Sequence, residues 1–167
     1  MENQVVQLQP RSRLLENEDV QRGAAFLSGL RMKGWPRKFE SLQDMDRAKK
    51  IKSSIEAARD YYAQQLAPDT PQALLTRVEL LNIRGFQKDL PDAAYEQIQA
   101  DWIEDLSRFP ADLVELACKR WRRSNVNRAP YGSGELMESV KSDYVRRKSI
   151  YMNANSVLNV IGGEGAA

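Results

Sequence analysis

The chain has 167 residues, with 25 lysines and arginines against 23 aspartates and glutamates, 29% charged and 42% apolar residues. That length suits one ordinary domain, or a smaller one with extended arms, and either can bury a working core. With no histidine and a single cysteine, the composition excludes a histidine base, a Ser-His-Asp triad, histidine metal ligands, a zinc site of several thiolates and an internal disulfide.

Residues 1–40 read as a flexible arm carrying one short helix. Residues 1–19 are polar and poorly periodic, with Gln4, Gln7, Gln9, Pro10, Arg11 and Arg13, a composition with too little apolar surface to fold on its own. The first ten residues lack the basic start and apolar middle of a secretion signal. No apolar run approaches the ~20 residues that span a bilayer, so a cytoplasmic protein without membrane contact is expected. Residues 20–32 predict a short helix built on Ala24, Phe26, Leu27 and Leu30, weakened by Gly23 and Gly29. Gly34, Trp35 and Pro36 predict a break, with Trp35 packing down.

A helical domain is expected over residues 41–152. Ser41 followed by Asp44 makes a variant capping box. Met45, Ala48, Ile51, Ile55, Ala58 and Tyr62 then recur at helical spacing as far as Leu66, predicting one long helix. That stripe belongs either to a bundle or helical hairpin, or to a coiled-coil seam that pairs a second copy through Met45, Ile51, Ile55 and Tyr62. The other arc carries Arg47, Lys49, Lys50 and Lys52, either a solvated face or a nucleic-acid contact. Thr70 or Asp69 caps the next helix, with Pro71 at its first position. Leu74, Leu75, Val78, Leu81 and Asn82 mark its buried side, and Gly85 closes it. Asp89, Leu90 and Pro91 open a third helix running through Tyr95, Ile98, Trp102, Ile103 and Leu106, and Pro110 opens a fourth. Such short connections make antiparallel neighbours. The predicted fold is all-α: a compact helical bundle with an additional long N-terminal helix or hairpin and flexible termini.

Residues 109–124, FPADLVELACKRWRRS, join an apolar stripe to a basic exit. One face holds Leu113, Leu116, Ala117 and Trp121, or equally Val114, Ala117, Cys118 and Trp121. Trp121 lies in phase with either stripe and is expected in the core. Cys118 has no base to activate it and reads as a small buried residue. The polar loop that follows contains Gly132-Ser133-Gly134, which lacks the spaced glycine and lysine of a phosphate loop and reads as a helix start. The last helix carries Leu136, Met137, Val140, Tyr144 and Tyr151. Residues 153–167 are expected to be a loose tail, with Val157, Leu158, Val160 and Ile161 able to dock on a partner.

Charge separates along this half of the chain. Residues 86–115 hold eight acids against two bases, and residues 117–148 hold nine bases against three acids. Either the two stretches pair across antiparallel helices, or they form a bipolar surface for partners of opposite charge. On the second reading the binding residues are Lys119, Arg120, Arg122, Arg123 and Arg128, reinforced by Arg146, Arg147 and Lys148.

The succession of Trp102, Asp105-Leu106, an apolar helix ending Lys119-Arg120-Trp121-Arg122-Arg123, a loop with Pro130, and Glu135-Leu136 resembles small helical phage and prophage replication proteins of the helicase loader/inhibitor family. The resemblance covers residues 95–140. It departs at Tyr131-Gly132-Ser133-Gly134, and it leaves residues 41–66 unaccounted for. It implies a non-enzymatic accessory protein of phage-type DNA replication, working in the bacterial cytoplasm, that binds a hexameric replicative helicase or another replisome protein. No catalytic residue, metal or cofactor is expected. Two other roles fit the same residues: a DNA-binding module of small-terminase or regulatory type using the basic face, and an inhibitor of a host or antiphage protein acting through the acidic segment.

Overall fold

The computed structural model of the chain describes residues 17–33, 38–81, 90–125 and 128–163. The break at Gly34-Trp35-Pro36, the stop at Gly85, the start at Asp89 and residues 1–16 of the expected arm lie outside them. In order, the elements are α1 (Glu18–Gly29), β1 (Met32–Lys33), β2 (Lys38–Phe39), α2 (Leu42–Lys50), α3 (Lys52–Gln65), α4 (Pro71–Leu80), α5 (Asp92–Leu106), α6 (Ala111–Ser124), α7 (Ser133–Met137), a 3-10 turn (Glu138–Val140) and α8 (Lys141–Gly163). The class is all-α, as expected. Among the described residues it departs in a short antiparallel pairing of Met32 with Phe39 and of Lys33 with Lys38, two residues a strand and too short to show an alternating pattern, and in an isolated bridge between Pro68 and Pro110. The chain divides into two compact units, Met1–Ala63 with Ser149–Ala167, and Gln64–Lys148.

In the first unit, α1 begins earlier than its apolar residues suggest. The Asn17 side chain accepts the Asp19 backbone N–H at 2.9 Å, and Glu18 and Asp19 oppose the positive end of the helix dipole. Gly23 is no weak point here. A Cβ on it would strike the Ser54 carbonyl, 2.6 Å from its carbon and 2.9 Å from Ala58 Cβ, so the missing side chain is what lets α1 lie against α3. The buried Ser54 hydroxyl donates to Asp19 Oδ1 at 2.8 Å across the same approach.

The long helix expected over residues 41–66 is two helices. Its cap is as anticipated: the Asp44 N–H donates to Ser41 Oγ, and that hydroxyl donates to the Asp44 carboxylate, both at 3.0 Å. The helix then ends at Lys50, and Ile51 leaves helical geometry at φ −114° and ψ 26°. Arg47, Lys49 and Lys50 fill the last turn, where cations complement the helix's negative end. The β-branched Ile51 and the paired Ser53 and Ser54 are weak helix formers. Periodicity alone does not register that stop.

Ile51 and Ile55 are buried in this unit's core together with Phe26, Leu27, Ala48, Ala58, Ile150, Ala154 and Val157, and Tyr62 packs against it. The stripe expected to pair a second copy is therefore covered by the chain's own helices; Met45 is half-buried. The loose tail also needs correction. α8 continues to Gly163, because Ala154 and Val157 extend the apolar phase of Ile150 into this core. Asn153, buried with them, donates its amide to the Leu27 carbonyl at 3.2 Å.

The second unit is built on α4, α5, α6 and α7. Thr70 caps α4 by accepting the Ala73 N–H at 3.3 Å, with Pro71 in the first turn. Its core gathers Leu74, Val78, Leu81, Trp102, Leu106, Leu113, Val114, Ala117, Cys118, Leu136, Met137 and Val140. Each fully buried leucine contributes about 1.5–3 kcal/mol of transfer free energy. The expected last helix starts instead as the short α7, tightens into the 3-10 turn and resumes as α8, so that Leu136, Met137 and Val140 all point inward. Arg147 makes a two-pronged pair with Asp112, both N–H···O distances 2.8 Å, and also donates to the Gln65 carbonyl at 3.2 Å. Arg77 bridges Asp69 at 2.8 Å and Glu115 at 3.6 Å.

Candidate functional site

The basic exit is the carboxyl-terminal half of α6. Pro110 starts this helix by accepting the Leu113 and Val114 N–H groups, both at 3.0 Å. Of the two stripes open to it, the buried one contains Leu113, Val114, Ala117 and Cys118, while Leu116 and Trp121 pack half-buried at its margins. At about 100° per residue, Lys119 and Arg123 then point away from the core, with Arg120 and Arg122 on the flanks. All four are exposed.

Trp121 ties the following loop to the helix. Its indole N–H donates to the Arg128 carbonyl at 3.1 Å. The Arg128 guanidinium lies 4.9 Å from the Trp121 ring centre and 5.4 Å from that of Tyr131, and pairs with Glu135 at 2.7 Å. Glu135 accepts the Tyr131 N–H with its other oxygen at 2.8 Å. That backbone hydrogen bond, with the Arg128 contact adding to it, holds the Glu135 carboxyl below the usual carboxylate range. A depressed folded pKa means the tether is at full strength above the ordinary carboxylate pKa and is lost as pH falls through the lowered value. Acid titration followed on the Trp121 indole N–H resonance should show this transition, and Glu135→Gln should abolish it; a transition persisting in that variant would refute the assignment.

The eight sequence-derived cations thus fall into three groups. Lys119, Arg122, Arg123 and Arg146 are exposed and have no carboxylate partner among the described residues. Arg120, Arg128 and Lys148 are exposed but tethered: Arg120 donates to the Ser139 carbonyl of the 3-10 turn, and the Lys148 ammonium lies 5.5 Å over the Tyr144 ring. Arg147 is only 21% exposed and committed to Asp112, which removes it from the candidate surface. The Asp112–Arg147 pair joins the acidic and basic stretches.

The sequence reading passed over two features. Phe109, Met137, Glu138, Lys141, Tyr144 and Val145 line a mostly apolar groove of about 310 Å³, with Val145 56% exposed. Tyr131, 91% exposed, stands at a smaller cleft of about 210 Å³ that it shares with Asp101 and Asp105. The signal for Tyr131 was present as an aromatic set between Pro130 and Gly132, in a turn that leaves it no core to enter.

Cys118 is buried in the core of the second unit. Burial pushes its thiol up, against the pull of Arg122 and Arg77. A soluble disulfide reagent should label it at the rate of unfolding and at once in denaturant; fast stoichiometric labelling of the native chain would contradict its burial. Among the described residues no three His, Cys, Asp or Glu side chains group to hold a metal, and no helix is long and apolar enough to cross a membrane.

Comparison with protein-family models, with curated proteins and with solved structures finds no match to this chain.

Proposed function

We propose that this chain is a non-enzymatic accessory protein of phage-type DNA replication that binds a replicative helicase, or another replisome protein, through the basic end of α6. One juxtaposition carries the reading. Arg120 donates to the Ser139 carbonyl of the 3-10 turn whose Glu138 also lines the apolar groove, which sets an exposed cation of α6 beside exposed apolar surface. Protein interfaces combine an apolar centre with a charged rim, whereas phosphate recognition needs only the charges. The resemblance over residues 95–140 supplies the kind of partner.

The test is capture from a bacterial host extract. The chain should retain a hexameric ATPase, and Lys119→Glu with Arg122→Glu and Arg123→Glu should reduce capture at least about tenfold, a cost of ~1.4 kcal/mol, without lowering thermal stability. Recovery of unrelated proteins only, or undiminished capture by the variant, would sink the proposal.

Direct DNA binding is the second reading, favoured by the same unpaired cations. It requires affinity to fall steeply with salt, by a log–log slope of about −0.9 per phosphate neutralised, and to collapse in the same variant. An inhibitor acting through the acidic segment draws less support, because Asp112 and Glu115 already face Arg147 and Arg77.

A further inference from the structure

Arg22, Phe26 and Leu30 on one side, and Asp44, Arg47 and Lys50 on the other, line an open cleft of about 390 Å³ in the first unit. We propose that this cleft binds a nucleoside phosphate, with Arg22, Arg47 and Lys50 holding the phosphate. It lies in a different unit from the basic end of α6 and does not depend on the function assigned there.

Three cations and one carboxylate line the cleft, and none of the three has a carboxylate partner among the described residues. Their surroundings show that this is not general to the stretch: Lys52 faces Glu56 at 3.9 Å. The Asp44 carboxylate accepts the Ser41 hydroxyl at 3.0 Å, engaged in the helix cap. Converging like charges repel, and a bound dianion relieves that repulsion.

The Arg47 guanidinium carbon lies 5.7 Å from the centre of the Phe26 ring, within cation–π range. A guanidinium held this way keeps its fork of donors for two phosphate oxygens, and its plane can take a base in stacking. Ala25, Gly29 and Leu30, over the buried Phe26 and Ile51, give the cleft an uncharged side that an inorganic anion would not use. The volume points the same way. It falls within the roughly 300–1,000 Å³ of small-molecule clefts, far above the ~30 Å³ that one water occupies in the liquid, so the phosphate comes with a body attached.

Two sources supply that chemistry, a free nucleotide and one nucleotide unit of a single strand. The test uses the full chain with inorganic phosphate, dAMP and a short oligodeoxyadenylate as probes, by calorimetry and competition. Saturable dAMP binding, tighter than that of phosphate alone, is expected. Arg47→Gln and Lys50→Gln should each raise the dAMP Kd at least about tenfold while leaving the circular dichroism melt in place. Arg22→Gln serves as a third variant that leaves the Arg47–Phe26 contact alone. An oligonucleotide that binds more tightly than dAMP, and is displaced by it, makes the strand the source; the reverse order makes it the free nucleotide. The proposal is overturned if neither dAMP nor the oligonucleotide binds saturably, if phosphate binds as tightly as dAMP, or if these substitutions leave binding unchanged. It is likewise overturned if only reversal of Lys119, Arg122 and Arg123 abolishes oligonucleotide binding.

Discussion

Replacing Gly23 by alanine should destabilise the chain by about 3 kcal/mol, the upper part of the usual range for overpacking. The added methyl would meet the Ser54 carbonyl carbon at 2.6 Å and Ala58 Cβ at 2.9 Å. A backbone carbonyl cannot rotate aside as a long side chain can, so α1 must move off α3. That movement also stretches the 2.8 Å hydrogen bond from Ser54 to Asp19, exposing a buried hydroxyl to the loss of its partner. For a chain of this size the melting temperature should fall by roughly 6–12 °C. Gly29→Ala is the matched control. A Cβ at Gly29 meets nothing within 4 Å, so that substitution should be neutral or stabilise by up to about 1 kcal/mol by restricting the unfolded chain. Equal melting of the two variants would show that the close approach of α1 and α3 is wrong.

Arg147→Ala should be comparably severe, at about 3–5 kcal/mol. Arg147 is 21% exposed and Asp112 11%, so removing the guanidinium takes two short charge-assisted hydrogen bonds from a carboxylate that water reaches poorly and also frees the Gln65 carbonyl from its donor. Asp112→Asn combined with Arg147→Ala should recover stability relative to Arg147→Ala alone, because the neutral amide loses less than the carboxylate does when the guanidinium is gone. Urea denaturation of the single and double variants measures the coupling. Additive losses in the double variant would mean that the two side chains act independently, against the observed geometry. The same experiment guards the functional test: a binding defect in an Arg147 variant reports folding and not contact with a partner.

What could be read from the chain depended on how local the signal was. Ser41 with Asp44, and Thr70 with Pro71, announce helix starts within four residues, and both caps form as read. The apolar phase of α4, α5 and α6 was equally plain, because burial on one helix face repeats at a fixed spacing. Ile51 was invisible as a break, since it keeps the apolar phase while its backbone leaves the helix. Gly23 looked like a weakness, because a neighbour 31 positions away, Ser54, decides its value. At the candidate surface, the exposure of Lys119, Arg122 and Arg123 followed from their position opposite the core stripe. Arg147 sits in the same kind of basic run, and only the approach of Asp112, 35 residues earlier, converts it from a surface charge into an internal strut.

The course of α8 bears on how the chain is assembled during synthesis. The second unit is one uninterrupted stretch ending at Lys148, whereas the first unit is split, its later piece beginning at Ser149. Phe26, Leu27, Ile51 and Ile55 emerge early, yet the core they share is completed by Ile150, Ala154 and Val157. At about 5–20 residues per second, the opening helices wait through the translation of the entire inserted unit before their last apolar partners leave the ribosome. The amino-terminal helices are thus made first and completed last, and a premature stop after Lys148 would spare the second unit's core while leaving the first without its closing helix.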